Sequence, residues 1–373
     1  MKIKESLLEK IEEKYPGYLK GEKLDKFLEE FDIKFAAGHW AAGDFLDRFA
    51  TDGYWPELDS SLESQIERVA YAGIKGIEFH DYLFLKKGLE VDEDTIIRTK
   101  ELLEKHDLIP TTMGINMFTD PKWKFGSVTN PNKEIREEAL QRIILAADIA
   151  KEIGCQAFSF WPGQDGWDYN LDSNYQKKFN WFYEAVFEAS KRAKELGLKF
   201  GVEAKLKEPK EGNMIIPTTH LAGWIAYRIN KELGGQYMGV TIDYGHEQMY
   251  GVEPAFTVYV LHEMNVPIAN FHVNTAKLRS NDEDRIFGTG DIWRFIDYLY
   301  ASVDIGYNGW FAEDQFTYRM NPIDAMRLSK EMFGNLMKKT LLIYARRKEL
   351  EEARQSNDQA KVIDVIKEII LYK

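Results

Sequence analysis

The chain has 373 residues, 44% of them hydrophobic and 29% charged, with a formal net charge of −12. This composition describes one large globular domain or two ordinary ones and excludes a disordered chain. The acidic balance argues against a nucleic-acid phosphate footprint, and no run approaches the roughly 18 apolar residues of a membrane span.

In chain order, residues 1 to about 30 read as charged amphipathic helices broken by Pro16 and Gly17. The opening MKIKESLLEKIEEK lacks the apolar core of a signal peptide. A single cysteine, Cys155, cannot form an intrachain disulfide, so a cytoplasmic location is expected. Strand-like apolar runs then recur at KFAAGHW (34–40), GIKGIEFH (73–80), LIPTTMGIN (108–116) and QAFSFW (156–161). Four more follow at KFGVEAK (199–205), YMGVTIDYGH (237–246), ANFHVN (269–274) and NGWFAEDQF (308–316). The stretches between them, such as SLESQIERVAYAG and EEALQRIILAADIAKEIG, space apolar residues three and four apart and close on glycine, as helices do.

Eight strand–helix units predict a parallel sheet closed into a (β/α)8 TIM barrel. The alternative, an open doubly wound sheet, lacks support because no glycine-rich phosphate loop follows the first strand. The expected organisation is an N-terminal helical extension (1–32), the barrel (33–325) and a C-terminal helical arm (326–373). That last segment is either a packed tail or an arm around another subunit.

A barrel carries its chemistry where its strands end. Glu203, Asp243, His246, Asn274 and Asp314 fall at or just beyond such ends, and Asp282 and Asp284 follow in the loop after the seventh strand. Any one strand-end carboxylate is most often a helix N-cap. Several around one mouth would repel unless cations neutralised them, and oxygen ligands with a histidine suit Mg²⁺, Mn²⁺ or Co²⁺. His80, next to Asp81, ends the second strand, and Lys205 shares a strand face with Glu203. Trp40, Phe118 and Trp161 stand where they pack the core or make a dry wall around reacting carbons.

These segments resemble the xylose isomerases. GIEFHD (76–81) is similar to the family's G-V-T-F-H-D, TTMGINMFTDP (111–121) to T-T-N-L-F-T-H-P, and FSFWPGQDG (158–166) to W-G-G-R-E-G. GVEAKLKEPKEGNMIIPT (201–218) resembles E-P-K-P-N-E-P-R-G-D-x-x-L-P-T, and YGHEQMYG (244–251) G-H-E-Q-M-A-G. FHVN (271–274) resembles F-H-I-D, and DEDRIFGTGD (282–291) D-Q-D-L-R-F-G-A-G-D. The resemblance implies an aldose–ketose isomerase acting by hydride shift on a monosaccharide, with two divalent metals. It implies a structural metal at Glu203, Asp243, Asn274 and Asp314, and a catalytic metal at Asp243, His246, Asp282 and Asp284. His80 would assist ring opening, with Asp81 beside it, and Lys205 would bind the carbonyl-end oxygen. Trp40, Phe118 and Trp161 would form the hydrophobic box, completed in a dimer or tetramer by an aromatic for which Phe49 is the nearest candidate.

Four positions depart from the family pattern. Asp243 replaces a glutamate, Asn274 an aspartate, Tyr82 or Leu83 the second acid after the histidine, and Phe316 a lysine. They leave room for a one-metal epimerase or proton-transfer isomerase with Glu203 and Asp314 as bases, or for a non-catalytic sugar-binding relative.

Overall fold

The computed structural model describes residue 1 and residues 3–208 and 212–372; residues 209–211, inside the GVEAKLKEPKEGNMIIPT segment, lie outside the described residues. Eight parallel strands close a barrel: β1 (Lys34–Gly38), β2 (Gly76–His80), β3 (Ile109–Ile115), β4 (Ala157–Phe160), β5 (Lys199–Glu203), β6 (Met238–Asp243), β7 (Ile268–Val273) and β8 (Trp310–Glu313). Each pairs with its sequence neighbours, and β1 closes on β8 through Lys34↔Trp310 to Ala37↔Glu313. Seven of the eight strand-like runs of the sequence contain one of these strands, and the run at 269–274 overlaps the eighth, which begins one residue earlier.

Each strand leads to a helix on the outer ring: α1 (Leu62–Tyr71), α2 (Glu93–His106), α3 (Lys133–Ile153), α4 (Tyr175–Leu196), α5 (Thr219–Leu233), α6 (Pro254–Glu263), α7 (Ile292–Asp304) and α8 (Pro322–Ala345). Local chemistry sets their ends. Ser61, Asn174 and Thr218 accept a backbone N–H at the starts of α1, α4 and α5. Gly154, Gly197 and Gly234 turn left-handed at the ends of α3, α4 and α5.

The period-two alternation of the strands splits their side chains into two sets. Ile77, Phe79, Phe158, Phe160, Phe200, Val202, Val240, Ile242, Phe271 and Phe311 are fully buried in the core. Phe160 meets Phe182 of α4, and Phe311 meets Phe333 of α8, so this set faces the helices. Burying each such side chain contributes about 1.5–3 kcal/mol. The other set points into the barrel. Ala36, Trp310 and Ala312 pack together there, in a small cluster of their own. Farther along the strands the inward positions turn polar, with Glu78, Asn270 and His272 buried.

α8 runs through residue 325, where the sequence suggested the barrel would end. The helices after it, Arg347–Gln355 and Gln359–Leu371, fold back on the same chain. Lys339 Nζ donates to the carbonyls of Ile369 (2.7 Å) and Ile370 (3.0 Å), and Arg346 Nη1 to that of Val365 (2.6 Å). Leu350, Val365, Ile369 and Ile370 are buried by this packing. Among the described residues no helix is long and apolar enough to cross a membrane.

One buried ion pair ties this frame together near the mouth. Asp81, fully buried at the end of β2, receives Arg142 of α3 in a two-pronged contact, Nε to Oδ2 at 2.7 Å and Nη2 to Oδ1 at 3.0 Å. The Asn116 N–H adds a bond of 2.8 Å. Removing one partner strands a buried charge. Arg142→Met is therefore expected to lose about 3–5 kcal/mol of stability by urea unfolding, whereas a surface pair such as Lys133–Glu137 should lose less than about 1 kcal/mol.

Candidate metal and sugar site

The strand alternation that buries Val202 and Ile242 outward turns Glu203 and Asp243 inward, and the register sets Asp243 directly across from His272. One ligand atom each from Glu203, Asp243, His272 and Asp314 lies within 4.8 Å of the others. A second group, Asp243, His246 and Asp282, meets the same criterion, so Asp243 belongs to both. Gly245 permits this crowding, since a Cβ there would stand 2.8 Å from Asn274 Oδ1 and 3.0 Å from Asp282 Oδ1. Both groups border a cavity of ≈ 290 Å³.

In the first group, His272 Nδ1 lies 3.2 Å from Glu203 Oε2, 3.3 Å from Asp314 Oδ2 and 3.9 Å from Asp243 Oδ2. It is buried, yet has no well-directed hydrogen bond among the described residues. A buried imidazole nitrogen facing three carboxylates without a partner fits a divalent cation. Its other nitrogen, Nε2, is 3.1 Å from Glu78 Oε2, and Asn270 Nδ2 donates to Glu78 Oε1 at 2.5 Å. Such an outer carboxylate fixes the ring so that Nδ1 is the ligand atom. Asp314 also accepts a 2.7 Å bond from Trp40 Nε1. Burial opposes ionisation of Asp314, but the adjacent His272 and the Trp40 bond outweigh it and hold the carboxyl below its ordinary value.

Burial disfavours charge on His272, but Glu203 and Glu78 prevail and raise it well above its ordinary value. A cation there therefore also displaces a proton, and the second group follows the same logic. His246 Nδ1 is 2.9 Å from the Ala204 carbonyl, and Nε2 is 3.0 Å from Asp282 Oδ2. Both nitrogens therefore face acceptors, which only an imidazolium can satisfy. Burial disfavours that charge, but Asp243 and Asp282 prevail and raise His246 to about 9. Lys205 Nζ contacts the same Asp282 Oδ2 at 2.8 Å and Glu208 Oε1 at 3.1 Å. Burial and the Asp282 and Asp314 charges push Asp284 well above a normal carboxylate. A cation bound here would have to take the place of the His246 proton.

Trp40, His80, Phe118, Trp161 and Phe316 wall the cavity. Phe118 and Trp161 meet edge to face at 4.7 Å, and Lys205 Nζ lies 5.1 Å over the Trp161 ring. Two expected residues have other positions. Asp81 is taken up by Arg142 and is absent from the cavity wall. Asn274 spends its amide on scaffolding: Nδ2 donates to Asp243 Oδ2 (2.8 Å) and Asp284 Oδ1 (3.3 Å), and Oδ1 accepts the Gly245 N–H (2.8 Å). His272, two residues earlier on the same strand face, also stands among the carboxylates. The alternation that turned Asn274 inward also signalled His272. Phe49 is 77% exposed and outside the cavity wall.

The closed eight-stranded barrel gathers acidic and histidine side chains at its strand ends, in groups that could hold a metal ion. The family model described as xylose isomerase-like TIM barrel matches residues 66–336, and the chain belongs to that family. It is 25% identical over 285 residues to a xylose isomerase of Thermus thermophilus, covering 74% of this chain and 70% of that protein. A xylose isomerase of Thermus caldophilus is 24% identical over 286 residues, with the same coverage. Among solved structures, an L-ribulose 3-epimerase superposes with a TM-score of 0.60 at 13% identity, over 88% of this chain and 99% of that one. A 3-keto-D-glucoside 4-epimerase from E. coli gives 0.58 at 13% identity, over 80% and 97%. These structural likenesses speak for the fold.

Two measurements check the metal reading of the site. By calorimetric titration with Mn²⁺, Glu78→Gln is expected to weaken the tighter site about 10- to 100-fold. His272→Ala should abolish that site. Uptake at the weaker site should release a proton and weaken as pH falls through about 9, since below that value His246 holds the proton a cation must displace.

Proposed function

We propose that the chain is a divalent-metal-dependent sugar isomerase that interconverts an aldose and its ketose. The observation that carries this reading is the pair of adjoining ligand groups sharing Asp243 beside an aromatic-walled cavity. A cavity of ≈ 290 Å³ lies at the small end of the roughly 300–1,000 Å³ of small-molecule sites, which suits a monosaccharide. The Thermus relatives named as xylose isomerases support the same chemistry.

Divalent cations (Mg²⁺, Mn²⁺ or Co²⁺) at Glu203–Asp243–His272–Asp314 and at Asp243–His246–Asp282 would polarise the two neighbouring sugar oxygens and stabilise the negative charge that passes from one to the other as hydride moves between their carbons. The remaining work falls to the chain. Lys205 stays cationic, because the Asp282 and Glu208 charges overcome its burial, and so acts as a donor to the carbonyl-end oxygen rather than as a base. His80 stays neutral, since burial and the neighbouring His39 lower it well below its ordinary value. Trp40, Phe118, Trp161 and Phe316 keep water from the carbons between which hydrogen moves with its electron pair. We also propose a dimer or tetramer in the cytoplasm, with Phe49 of one copy approaching the cavity of another.

One observation favours a second reading. Lys205 and His246 already balance Asp282, so a single metal could serve, leaving Glu203 and Asp314 as bases for proton transfer in an epimerase or isomerase. NMR of metal-stripped, Mn²⁺- or Co²⁺-reloaded protein acting on aldopentoses and aldohexoses in D₂O separates the two. Ketose without deuterium at C1, formed only with metal, is the expected result. Deuterium in the product establishes proton transfer, and no turnover of any aldose overturns the isomerase assignment.

A further inference from the structure

We propose that Gln65 and His39 are positioning residues that fix the proton of His80 on Nδ1, leaving its Nε2 lone pair free to accept a hydrogen bond from a sugar hydroxyl. The inference deepens the isomerase reading, because it assigns how the ring-opening histidine is held without a carboxylate. His80 Nδ1 lies 3.1 Å from His39 Nε2, and His39 Nδ1 lies 2.7 Å from Gln65 Oε1. Gln65 Nε2 donates to the Ser60 carbonyl at 2.9 Å, which settles the orientation of the amide, since the flipped form would set two oxygens against each other.

The proton positions then follow along the chain of bonds. Gln65 Oε1 can only accept, so His39 carries its hydrogen on Nδ1. In a neutral His39, Nε2 is a lone pair and must receive a hydrogen from His80 Nδ1. A neutral His80 so bound has its lone pair on Nε2. Both rings are deeply enclosed, which disfavours charge on either, and His39 is lowered to about 4.

Packing prevents the rings from escaping this arrangement. His80 lies against Trp40, with centroids 4.4 Å apart, and parallel to Tyr82 at 5.8 Å. Gly114 leaves the opposite side open, as a Cβ there would be 3.2 Å from His80 Nε2. That nitrogen has no hydrogen-bond partner among the described residues, and His80 borders the cavity. Free imidazoles in water carry their hydrogen mostly on Nε2, so the relay enforces the less common form. Charging His39 would reverse its bond to His80: its Nε2 would then donate, and His80 would present an N–H to the sugar.

Nitrogen-15 NMR of the full-length, Mg²⁺-loaded chain labelled at histidine tests this without relying on turnover. The His80 signal is assigned by its loss in His80→Gln. The expected spectrum shows His80 protonated on Nδ1 and bare on Nε2. Gln65→Glu, which invites a charged His39 with little change of shape, should move the His80 proton to Nε2, and Gln65→Met should do the same by removing the acceptor. In both variants turnover of ring-forming aldoses should fall roughly 10²-fold, the scale of losing a correctly placed acceptor, while the open-chain substrate glyceraldehyde is spared. A wild-type His80 already protonated on Nε2, or a Gln65→Glu spectrum that keeps the proton on Nδ1, overturns the relay. An enzyme inactive on every aldose but with the expected spectrum would instead count against the isomerase reading alone.

Discussion

Everything at the mouth of this barrel answers to one electrostatic constraint. Glu203, Asp243, Asp282, Asp284 and Asp314 converge in a space that excludes most solvent, where like charges cannot all remain ionised unaided. The chain supplies Lys205, His246 and His272 as partial compensation. The balance remains negative, and two of the acids show it: burial and neighbouring charge raise Asp243 to about 7 and Asp284 well above its ordinary value. A divalent cation relieves this frustration, so the site and its proposed cofactor are two sides of the same argument.

The barrel makes such crowding affordable. Its outer alternation of phenylalanine, valine and isoleucine buries enough apolar surface to hold a polar interior in place. Supporting bonds come from Glu78 behind His272, Asn274 beneath Asp243, and the Arg142–Asp81 pair at the edge of the mouth. Gly245 lets the side chains of Asp243, Asn274 and Asp282 approach more closely than a Cβ there would allow.

How much of this was written in the sequence depends on the range of the interaction. Strands and helices were legible because period-two and period-3.6 patterns and helix-ending glycines are local. The inward carboxylates were legible because each followed an apolar run at a strand end. Pairings across the barrel were not. Nothing near Asp81 announces that Arg142, 61 positions later, will claim its carboxylate. Nothing in GIEFH says that Glu78 will meet His272 and Asn270 on β7, and nothing in HW that His39 will lean on Gln65 of α1. His272 was passed over for a related reason: it and Asn274 both face inward on β7, and the local pattern treats them alike.

The most direct test of the central claim is anomalous diffraction from crystals soaked in Mn²⁺. The account predicts one strong peak enclosed by Glu203, Asp243, His272 and Asp314, and a second, weaker peak across Asp243 toward His246 and Asp282. A map with no peak within ligand reach of Asp243, from crystals whose carboxylates keep the same positions, would contradict it.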